Sequence, residues 1–393
     1  MNYDIEKISQ IINGDLTTGG LRTRILYLLT DSRKLIYPGE TLFFAIISHR
    51  KDGHHFISTL YERGVRNFVV SRLPGMSVPP DANFVVVRDT VEALQMLATY
   101  HRSRFEIPVI GITGSNGKTI VKEWLNQLLE PDFRIVRSPA SYNSQIGVPL
   151  SVWQMNEKNQ LAIFEAGIST VNEMHKLAKI ISPTIGIFTN IGEAHSEGFA
   201  SPEDKLLEKL LLFKNAGVLI YRNDDVDTDR TIRRELPEVF KFLTWGKNEN
   251  AFLRLVEINT GSLSTGLKIQ YNSNLLHLSI PFTDDASIEN AMHCCCMMVY
   301  LGINEKVIEE RLNKLNPVGM RLELKSGINN SSVINDSYSS DLSSLRIALD
   351  FLSQQKQHPS KTVILSDILE SGLESQDLYR QVAGLLKHHE INR

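Results

Sequence analysis

Short apolar segments alternate with longer amphipathic segments along most of the chain. The amphipathic segments carry apolar residues at helical spacing and predict helices at residues 91–102, 119–129, 171–180 and 203–213. The apolar segments predict strands at residues 68–71, 84–87, 109–112, 161–164, 185–188 and 217–221. Alternating strands and helices are typical of mainly parallel sheets covered by helices, so the pattern predicts an α/β fold.

Two changes in this pattern predict domain boundaries, one near residues 105–108 and one near 316–319. Short strands with alternating apolar positions occupy residues 252–281, which predicts an antiparallel flank on the central sheet. We therefore expect three domains, at residues 1–105, 106–316 and 317–393.

The third domain contains few elements for its fold. Its pattern predicts strands at 332–335 and 362–365 and helices at 343–352 and 378–387. Two or three strands rarely form a stable α/β domain, because a parallel sheet needs helices on both faces. We expect the chain to be truncated, or to be the front part of a longer polypeptide. A natural stop codon after Arg393 would contradict this expectation.

The composition fits a cytoplasmic protein without a nucleic-acid or membrane partner. The 393 residues are 42% hydrophobic and 22% charged, and the formal net charge of -3 gives no general attraction to nucleic acid. There is no signal-peptide pattern, and no apolar stretch approaches the ~20 residues of a membrane span. The three cysteines are adjacent, at 294–296, so they predict buried side chains on a helix at 290–301 rather than a disulfide or a metal site.

A glycine-rich loop, Gly-Ile-Thr-Gly-Ser-Asn-Gly-Lys-Thr, occupies residues 111–119 between a predicted strand and a predicted helix. We call it the phosphate loop, because backbone N–H groups and a helix N-terminus in this arrangement bind nucleotide phosphates. In such loops the lysine reaches the β- and γ-phosphates and the threonine hydroxyl contacts Mg²⁺. The general pattern has glycine at the position of Ile112, so a simple glycine turn before a helix is the alternative. The predicted ATP contacts are Gly114, Ser115, Asn116, Gly117, Lys118 and Thr119.

The form of the loop at residues 113–119 resembles that of the Mur ligases, the ATP-dependent amide-forming enzymes of peptidoglycan precursor synthesis. The amino-terminal motifs are similar to those of the MurF-type branch, and residues 285–291 resemble a version that is fused to an alanine racemase. Further motifs resemble the family in the same order along the chain: Asp31-Ser-Arg33, Pro38-Gly39, Asp52-Gly-His54, Tyr142 to Leu150, Glu165-Ala-Gly167, Asn190 to His195, Arg321, Asp336-Ser-Tyr338 and Ser366 to Glu370.

The resemblance implies a three-domain Mur ligase architecture with a central P-loop ATPase domain and an incomplete Rossmann-like third domain. It implies that ATP converts the carboxylate of UDP-N-acetylmuramoyl-tripeptide into an acyl phosphate. The amine of D-alanyl-D-alanine then displaces phosphate and forms the amide. ATP and two Mg²⁺ ions would be the cofactors. In the fused version the ligase comes first, so an alanine racemase would follow residue 393 as a covalent partner.

The resemblance also implies a catalytic centre at the ends of the central strands. Lys209 would be carbamylated by CO₂, which requires a free amine and hence a lowered pKa. Lys205, one helical turn earlier, is the rival for this role. The alternatives are a solvent-exposed carboxylate at 165, a loop histidine at 195 and a solvent-exposed helix lysine at 209. The implied catalytic residues are Lys118, Glu165, His195 and Lys209, and the implied magnesium ligands are Thr119, Glu165, His195 and Lys209.

Outside this centre, the resemblance implies nucleotide contacts from Asn290, Arg321 and Asp336 and substrate contacts from Ser32, Arg33 and Asn143. The alternatives are a hinge salt bridge for Arg321, a polar turn at 31–33 and an ordinary turn asparagine at 143. The family often has His-Asn where this chain has alanine and serine at 286 and 287.

Two other functions stay open at the level of sequence. One is a related ligase that adds a different amino acid or acts on folate, and the amino-terminal motifs argue against folate. The other is a module that binds nucleotide and UDP-sugar without ligase activity, since the third domain is incomplete.

Overall fold

The computed structural model describes residues 3–17, 19, 24–48, 51–73, 79–192, 198–236, 241–339, 341–355, 357–358, 360–368, 371 and 373–393. The α-helices among these residues are α1 (Ile5–Ile11), α2 (Ile57–Glu62), α3 (Thr90–Arg102), α4 (Lys118–Leu129), α5 (Gly147–Val152), α6 (Met174–Ile181), α7 (Pro202–Leu210), α8 (Val226–Glu235), α9 (Asp285–Tyr300), α10 (Glu305–Leu312), α11 (Leu342–Gln354) and α12 (Ser375–His388). The strands are β1 (Asp15–Thr17), β2 (Tyr27–Leu29), β3 (Thr41–Phe44), β4 (Ile47–Ser48), β5 (Lys51–Asp52), β6 (Asn67–Val70), β7 (Asn83–Val86), β8 (Val109–Thr113), β9 (Ile135–Arg137), β10 (Leu161–Glu165), β11 (Ile185–Phe188), β12 (Val218–Arg222), β13 (Lys241–Gly246), β14 (Leu253–Thr260), β15 (Thr265–Tyr271), β16 (Asn274–Ile280), β17 (Glu323–Ser326) and β18 (Ser332–Asn335).

The first of two compact units consists of Met1–Ile107, Ser141–Asn159 and Lys179–Ile181. Its sheet has five strands in the order β1-β7-β6-β3-β2. The pairs are parallel except for β1 and β7, which are antiparallel. The buried rings of Phe68 and Phe84 stack at 5.1 Å on neighbouring strands and form part of an apolar core on one face.

The second unit consists of Pro108–Ala140, Gln160–Ala178 and Ser182–Arg393. Its main sheet has nine strands in the order β16-β15-β14-β13-β12-β11-β8-β10-β9. The strands from β9 to β14 pair in parallel, and β14, β15 and β16 pair antiparallel, which confirms the flank predicted at 252–281. Every residue of β8, β10 and β11 is buried, as expected where helices cover both faces of a parallel sheet.

The structure confirms the predicted α/β fold, and the six strands predicted between residues 68 and 221 lie within one residue of their predicted ends. The helix predicted at 171–180 begins later, at Met174. Asn172 has a positive φ of 65°, which an α-helix does not accommodate. The Glu173 carboxylate accepts hydrogen bonds from the backbone N–H groups of Ser169 and Thr170, so these residues form a turn before the helix.

The strand predicted at 362–365 is wrong. These residues are not in a strand, although the Val363 N–H donates to the Arg393 carbonyl at 2.9 Å. Ile364 is 98% exposed, so the apolar pattern here does not mark a buried strand. The strand predicted at 332–335 forms as β18, and it pairs antiparallel with β17 in a separate two-stranded sheet. A strand needs a neighbouring strand for its backbone hydrogen bonds. The apolar pattern at 362–365 does not show whether such a neighbour exists.

The helix α9 carries the three adjacent cysteines. Cys294, Cys295 and Cys296 are free thiols with at most 1% exposure, which confirms the prediction of buried side chains. Burial raises the pKa of each thiol, to about 12 for Cys295. Although α9 has 16 residues, neither it nor any other helix in the described ranges is long and apolar enough to cross a membrane.

Candidate functional site

Three adjacent strands of the nine-stranded sheet end at the same edge. The phosphate loop follows β8, Glu165 is the last residue of β10, and Thr189 follows β11 directly. The strand register aligns Glu165 with Ile112 and Phe188 with Thr113, so the three ends are level. The chain passes from β8 first to β9 and β10 on one side and then to β11 on the other. Ligands of open α/β sheets bind at such a switch point, at the carboxyl ends of the strands.

Two positions of the phosphate loop accept only glycine. Gly114 has a φ of 149°, and a Cβ there would lie 2.0 Å from Thr189 Oγ1. Gly117 has a φ of 83°, and a Cβ there would lie 2.3 Å from Asn290 Oδ1. A side chain would be excluded at both positions by strain and by contact. Gly117 is the N-cap of α4, so the loop leads directly into the positive end of a helix dipole.

The segment after β11 braces the phosphate loop. The Ser115 N–H donates to the Asn190 carbonyl at 2.9 Å, and the Asn116 N–H donates to Asn190 Oδ1 at 3.0 Å. The Gly192 N–H donates to Ser115 Oγ at 2.8 Å. Two N–H groups that were predicted to face phosphates therefore donate to Asn190 in this structure. The sequence indicated Asn190 only as part of a metal-site motif.

The Lys118 side chain folds back over the phosphate loop. Its Nζ donates to the carbonyl oxygens of Gly114 and Ser115, each at 2.8 Å. Burial lowers the pKa of Lys118 to about 8, and the nearby Glu165 carboxylate acts in the opposite direction. The amine is thus held at the loop by neutral acceptors. A phosphate oxygen would form a stronger, charge-assisted bond with it.

Thr119 and Glu165, two of the predicted magnesium ligands, are in direct contact. Thr119 Oγ1 donates to Glu165 Oε2 at 3.0 Å, and the Glu165 side chain is 0% exposed. The other carboxylate oxygen, Oε1, lies 2.9 Å from Lys122 Nζ, with which Glu165 forms a buried ion pair. A buried carboxylate oxygen beside a hydroxyl fits Mg²⁺, which prefers hard oxygen ligands.

Lys209, in α7, is buried rather than solvent-exposed, with 2% exposure. Its Nζ donates to the Gly114 carbonyl at 3.1 Å, so it approaches the phosphate loop as Lys118 does. Burial holds the pKa of Lys209 well below its usual value, and the charges of Lys118 and Lys205 add to this effect. Lys205 is equally buried and donates to the Gly192 carbonyl at 2.5 Å.

His195 lies outside the described residues, together with 193–194 and 196–197. Within the described ranges, no group of three or more His, Cys, Asp and Glu side chains stands in a metal-binding arrangement. The predicted set of four magnesium ligands is therefore represented here by Thr119, Glu165 and Lys209.

The predicted nucleotide contacts in the rest of the second unit lie near the loop. Asn290 is 3% exposed. Its Oδ1 lies so near Gly117 that a Cβ at this glycine would be 2.3 Å from it. Arg321 Nη1 donates to Ser339 Oγ at 2.9 Å, and its guanidinium lies 4.6 Å from the centre of the Tyr338 ring. A small cavity of about 30 Å³ is lined by residues that include Trp124, Phe282, Ser287, Asn290 and Arg321.

Asp336, the third predicted contact, follows β18. It accepts hydrogen bonds from the Leu322 N–H and the Ser339 hydroxyl, both at 3.2 Å. Burial raises the pKa of Asp336 to about 6. The carboxylate and Arg321 therefore share Ser339 as a common partner. The last two residues of the motif at 366–370 lie outside the described residues.

The predicted substrate residues Ser32, Arg33 and Asn143 belong to the first unit. Arg33 forms an ion pair with Asp31 at 2.7 Å, which lowers the pKa of Asp31 to about 2, and its side chain is 77% exposed. The Ser32 carbonyl accepts a hydrogen bond from Arg63 Nη1 at 2.9 Å. The Asn143 N–H donates to the Ser141 carbonyl at 2.8 Å. These contacts are typical of polar turns. The substrate role of the three residues stays a prediction.

A buried histidine, His293, supports the phosphate loop through Thr189, and no sequence pattern indicated it. The Trp245 indole N–H donates to His293 Nδ1 at 3.0 Å, so the proton of the neutral ring is on Nε2, which donates to the Thr189 carbonyl at 3.1 Å. The Thr189 hydroxyl in turn donates to the Asn116 carbonyl at 2.6 Å. Burial lowers the pKa of His293 to about 3. His293 therefore fixes the loop only in its neutral form.

The first unit contains a second buried histidine. His101 donates from Nε2 to the Met155 carbonyl and accepts from the Tyr3 hydroxyl at Nδ1, both at 3.0 Å. Burial lowers its pKa to about 4. Both folded-state pKa values lie below the value of about 6.5 for an unfolded histidine. The stability that each neutral ring contributes is therefore complete above about pH 6.5 and is lost as the pH falls toward 4 and 3.

We expect the thermal unfolding midpoint to fall as the pH is lowered from about 7 to about 5. Each histidine lowers the free energy of unfolding of its unit by up to about 1.4 kcal/mol per pH unit. In calorimetric scans, His293→Asn should make the pH dependence of the second unit less steep, whatever its effect on the midpoint at neutral pH. The matched control His277→Gln, at an exposed position, should leave the slope unchanged. An equal slope in wild type and His293→Asn would contradict this assignment.

Comparison with known proteins adds three findings. Residues 112–298 match the Mur ligase middle domain family. The UDP-N-acetylmuramoyl-tripeptide–D-alanyl-D-alanine ligase of Bacillus subtilis (strain 168) is 28% identical over 99% of this chain and 84% of that protein. The Escherichia coli (strain K12) protein of the same name is 26% identical over 100% of this chain and 85% of that protein.

Solved structures show the same fold. A crystal structure of MurF from Acinetobacter baumannii has a TM-score of 0.86 at 24% identity and covers 99% of this chain and 83% of that one. The MurF ligase from Thermotoga maritima in complex with ADP has a TM-score of 0.77 at 23% identity and covers 92% of this chain and 82% of that one. The chain therefore has the Mur ligase fold of these MurF structures, and its residues 112–298 are similar to the Mur ligase middle domain family.

Proposed function

We propose that this chain is an ATP-dependent ligase that joins D-alanyl-D-alanine to UDP-N-acetylmuramoyl-tripeptide, in the cytoplasmic synthesis of peptidoglycan precursors. The observation that carries the proposal is the arrangement at the phosphate loop, where Lys118 and Lys209 both donate to Gly114 and Thr119 donates to the buried Glu165. Relatives that carry this activity in their names extend along nearly the whole chain.

The reaction requires positive charge and fixed geometry around the γ-phosphate. In the first step, a carboxylate oxygen of the tripeptide attacks the γ-phosphorus, and ADP leaves. In the second step, the amine of D-alanyl-D-alanine attacks the acyl carbon, loses a proton and displaces phosphate. Lys118 neutralises phosphate charge once its Nζ exchanges the two loop carbonyls for phosphate oxygens. Arg321 adds a second cation when the third domain approaches the nucleotide.

Thr119, Glu165, His195 and a carbamylated Lys209 would hold two Mg²⁺ ions, which supply positive charge at the phosphates when bound. Carbamylation joins the Lys209 nitrogen to CO₂ and releases one proton. The burial of Lys209 and its lowered pKa support this step, because only the neutral amine reacts. Lys205 is the rival in the same helix, and its Nζ donates to the Gly192 carbonyl at 2.5 Å.

Asn290 and Asp336 would contact the nucleotide, and Ser32, Arg33 and Asn143 would contact the UDP-linked substrate. The division into domains at 1–105, 106–316 and 317–393 and an alanine racemase joined beyond residue 393 stay predictions. Expression of the gene and measurement of the full polypeptide mass would test the racemase.

The decisive experiment measures phosphate release with each substrate omitted in turn. We expect release only when ATP, UDP-N-acetylmuramoyl-tripeptide and D-alanyl-D-alanine are all present, because the acyl phosphate forms on one substrate and is consumed by the other. Equal release with another amine would instead indicate a ligase with a different acceptor. Binding of ATP and the UDP-linked substrate without any turnover would contradict the ligase and favour a binding module.

A further inference from the structure

A further buried lysine, Lys122, lies one helical turn after Lys118. Lys122 is 0% exposed, and its Nζ lies 2.9 Å from Glu165 Oε1, which is also 0% exposed. Burial of two such charges is unfavourable unless they are paired and further hydrogen bonds hold them. Neither the phosphate-loop pattern nor the motif resemblance assigns a role to Lys122.

The ammonium group of Lys122 is anchored by the backbone. Nζ donates to the Ser138 carbonyl at 2.8 Å and to the Ala140 carbonyl, and it lies 2.9 Å from Glu123 Oε1. Ala140 has a φ of 45°, which is rare for a residue with a Cβ, so the bond to its carbonyl holds an unfavourable turn. The position of Nζ is therefore fixed by groups other than Glu165.

This anchoring determines how many N–H groups of Lys122 are available to the Glu165 carboxylate. An ammonium group has three N–H bonds, and four oxygen atoms surround this one. The hydrogen bonds to the Ser138 and Ala140 carbonyls use two of the three N–H groups, which leaves the third for the Glu123 and Glu165 carboxylates. Lys122 therefore places a fixed positive charge beside Glu165 Oε1. Glu165 Oε2 meanwhile accepts from the Thr119 hydroxyl.

We propose that Lys122 is a positioning residue for the metal-nucleotide site. It holds the Glu165 carboxylate against Thr119 before any cation arrives, in the orientation in which the carboxylate would contact the divalent ion that accompanies the nucleotide. Without this charge, a fully buried carboxylate would turn toward other partners and would have to be reoriented on binding. The inference rests on the proposed ATP and magnesium site, and it concerns binding rather than the ligation step.

The test is the affinity for ADP, measured calorimetrically with and without Mg²⁺, in wild type and Lys122→Met. We expect the gain in affinity that Mg²⁺ gives to fall by about tenfold or more, as is usual when a partner of a metal ligand is removed. The affinity without Mg²⁺ should change little, because the phosphate loop and Lys118 are intact. In a Glu165→Gln background, Lys122→Met should have no further effect on the gain, since Lys122 acts through Glu165.

Two further variants make the result interpretable. Lys314→Met removes the same charge at an exposed position and should leave the gain unchanged. Lys122→Gln keeps an N–H donor for the two carbonyls and replaces the methionine variant if that one does not fold. An unchanged or larger Mg²⁺ gain in the folded Lys122 variants would overturn the proposal, since Lys122 would then be structural or would oppose the metal. A wild type without any Mg²⁺ gain would overturn the proposed magnesium site and the inference with it.

Discussion

Replacement of Lys118 by alanine should lower ATP-dependent turnover on the order of 10³-fold, to background. Its amine is the cation that the loop itself provides for the β- and γ-phosphates, and it donates to the carbonyls of Gly114 and Ser115. Lys209 also donates to the Gly114 carbonyl, but its proposed carbamate is an anion and would not replace this positive charge. The measurement is the rate of phosphate release at saturating substrates.

The fold should survive this change. Lys118 has a pKa lowered to about 8 by burial, so its amine is poorly accommodated in the nucleotide-free protein and contributes little to stability. We expect a thermal unfolding midpoint close to that of wild type. Lys314→Ala, which removes an exposed lysine, is the matched control and should keep full turnover. Normal turnover in Lys118→Ala would refute the assignment of the phosphate loop.

Replacement of Lys209 by alanine should also abolish turnover, and a small carboxylate such as acetate should restore part of it. The expected rescue follows from the proposed chemistry, because a carbamate is an anion that acetate can imitate in the space left by the side chain. Lys209→Arg should not respond, because the larger cation fills that space. Removal of bicarbonate and CO₂ should slow the wild type in the same assay.

Lys205→Ala serves as the comparison for this prediction, because Lys205 is buried one turn earlier in the same helix. We expect acetate to have no effect on it. A crystal structure with bound nucleotide gives an independent readout, and electron density longer than lysine at 209 would support the carbamate. A bare Lys209 amine in that structure, together with turnover that ignores bicarbonate, would contradict it. If acetate restored turnover in Lys205→Ala and not in Lys209→Ala, the carbamate would be assigned to Lys205 instead.

The sequence alone was sufficient to place Thr119 and Glu165 at the same edge of the sheet, where the structure shows them in contact. One follows the loop after β8, the other ends β10, and parallel strands with short apolar runs bring their ends to one edge. The burial of Lys209 could not be read from its neighbours, because a lysine in an amphipathic helix is more often solvent-exposed. Lys209 is buried because α7 packs against the phosphate loop, and that packing depends on residues far apart in the sequence.

Lys122 and the segment at 362–365 both show that a local sequence pattern does not reveal distant partners. Helical spacing places Lys122 near Lys118, but nothing local reveals that Ser138, Ala140 and Glu165 surround its ammonium group. At 362–365 the local pattern is that of a strand, yet these residues are not part of a strand in the structure. In both cases the outcome is determined by a partner that is distant in sequence, and single-chain patterns carry no information about it.

The three thiols of α9 have a consequence for how the protein responds to its surroundings. Cys294, Cys295 and Cys296 are buried, and their raised pKa values keep them protonated, so neither oxidants nor alkylating reagents find a thiolate in the folded state. Reactivity appears only when α9 separates from the sheet. The cysteines then act as a latent reporter of local opening: the rate at which they are labelled measures how often the nucleotide-binding unit comes apart.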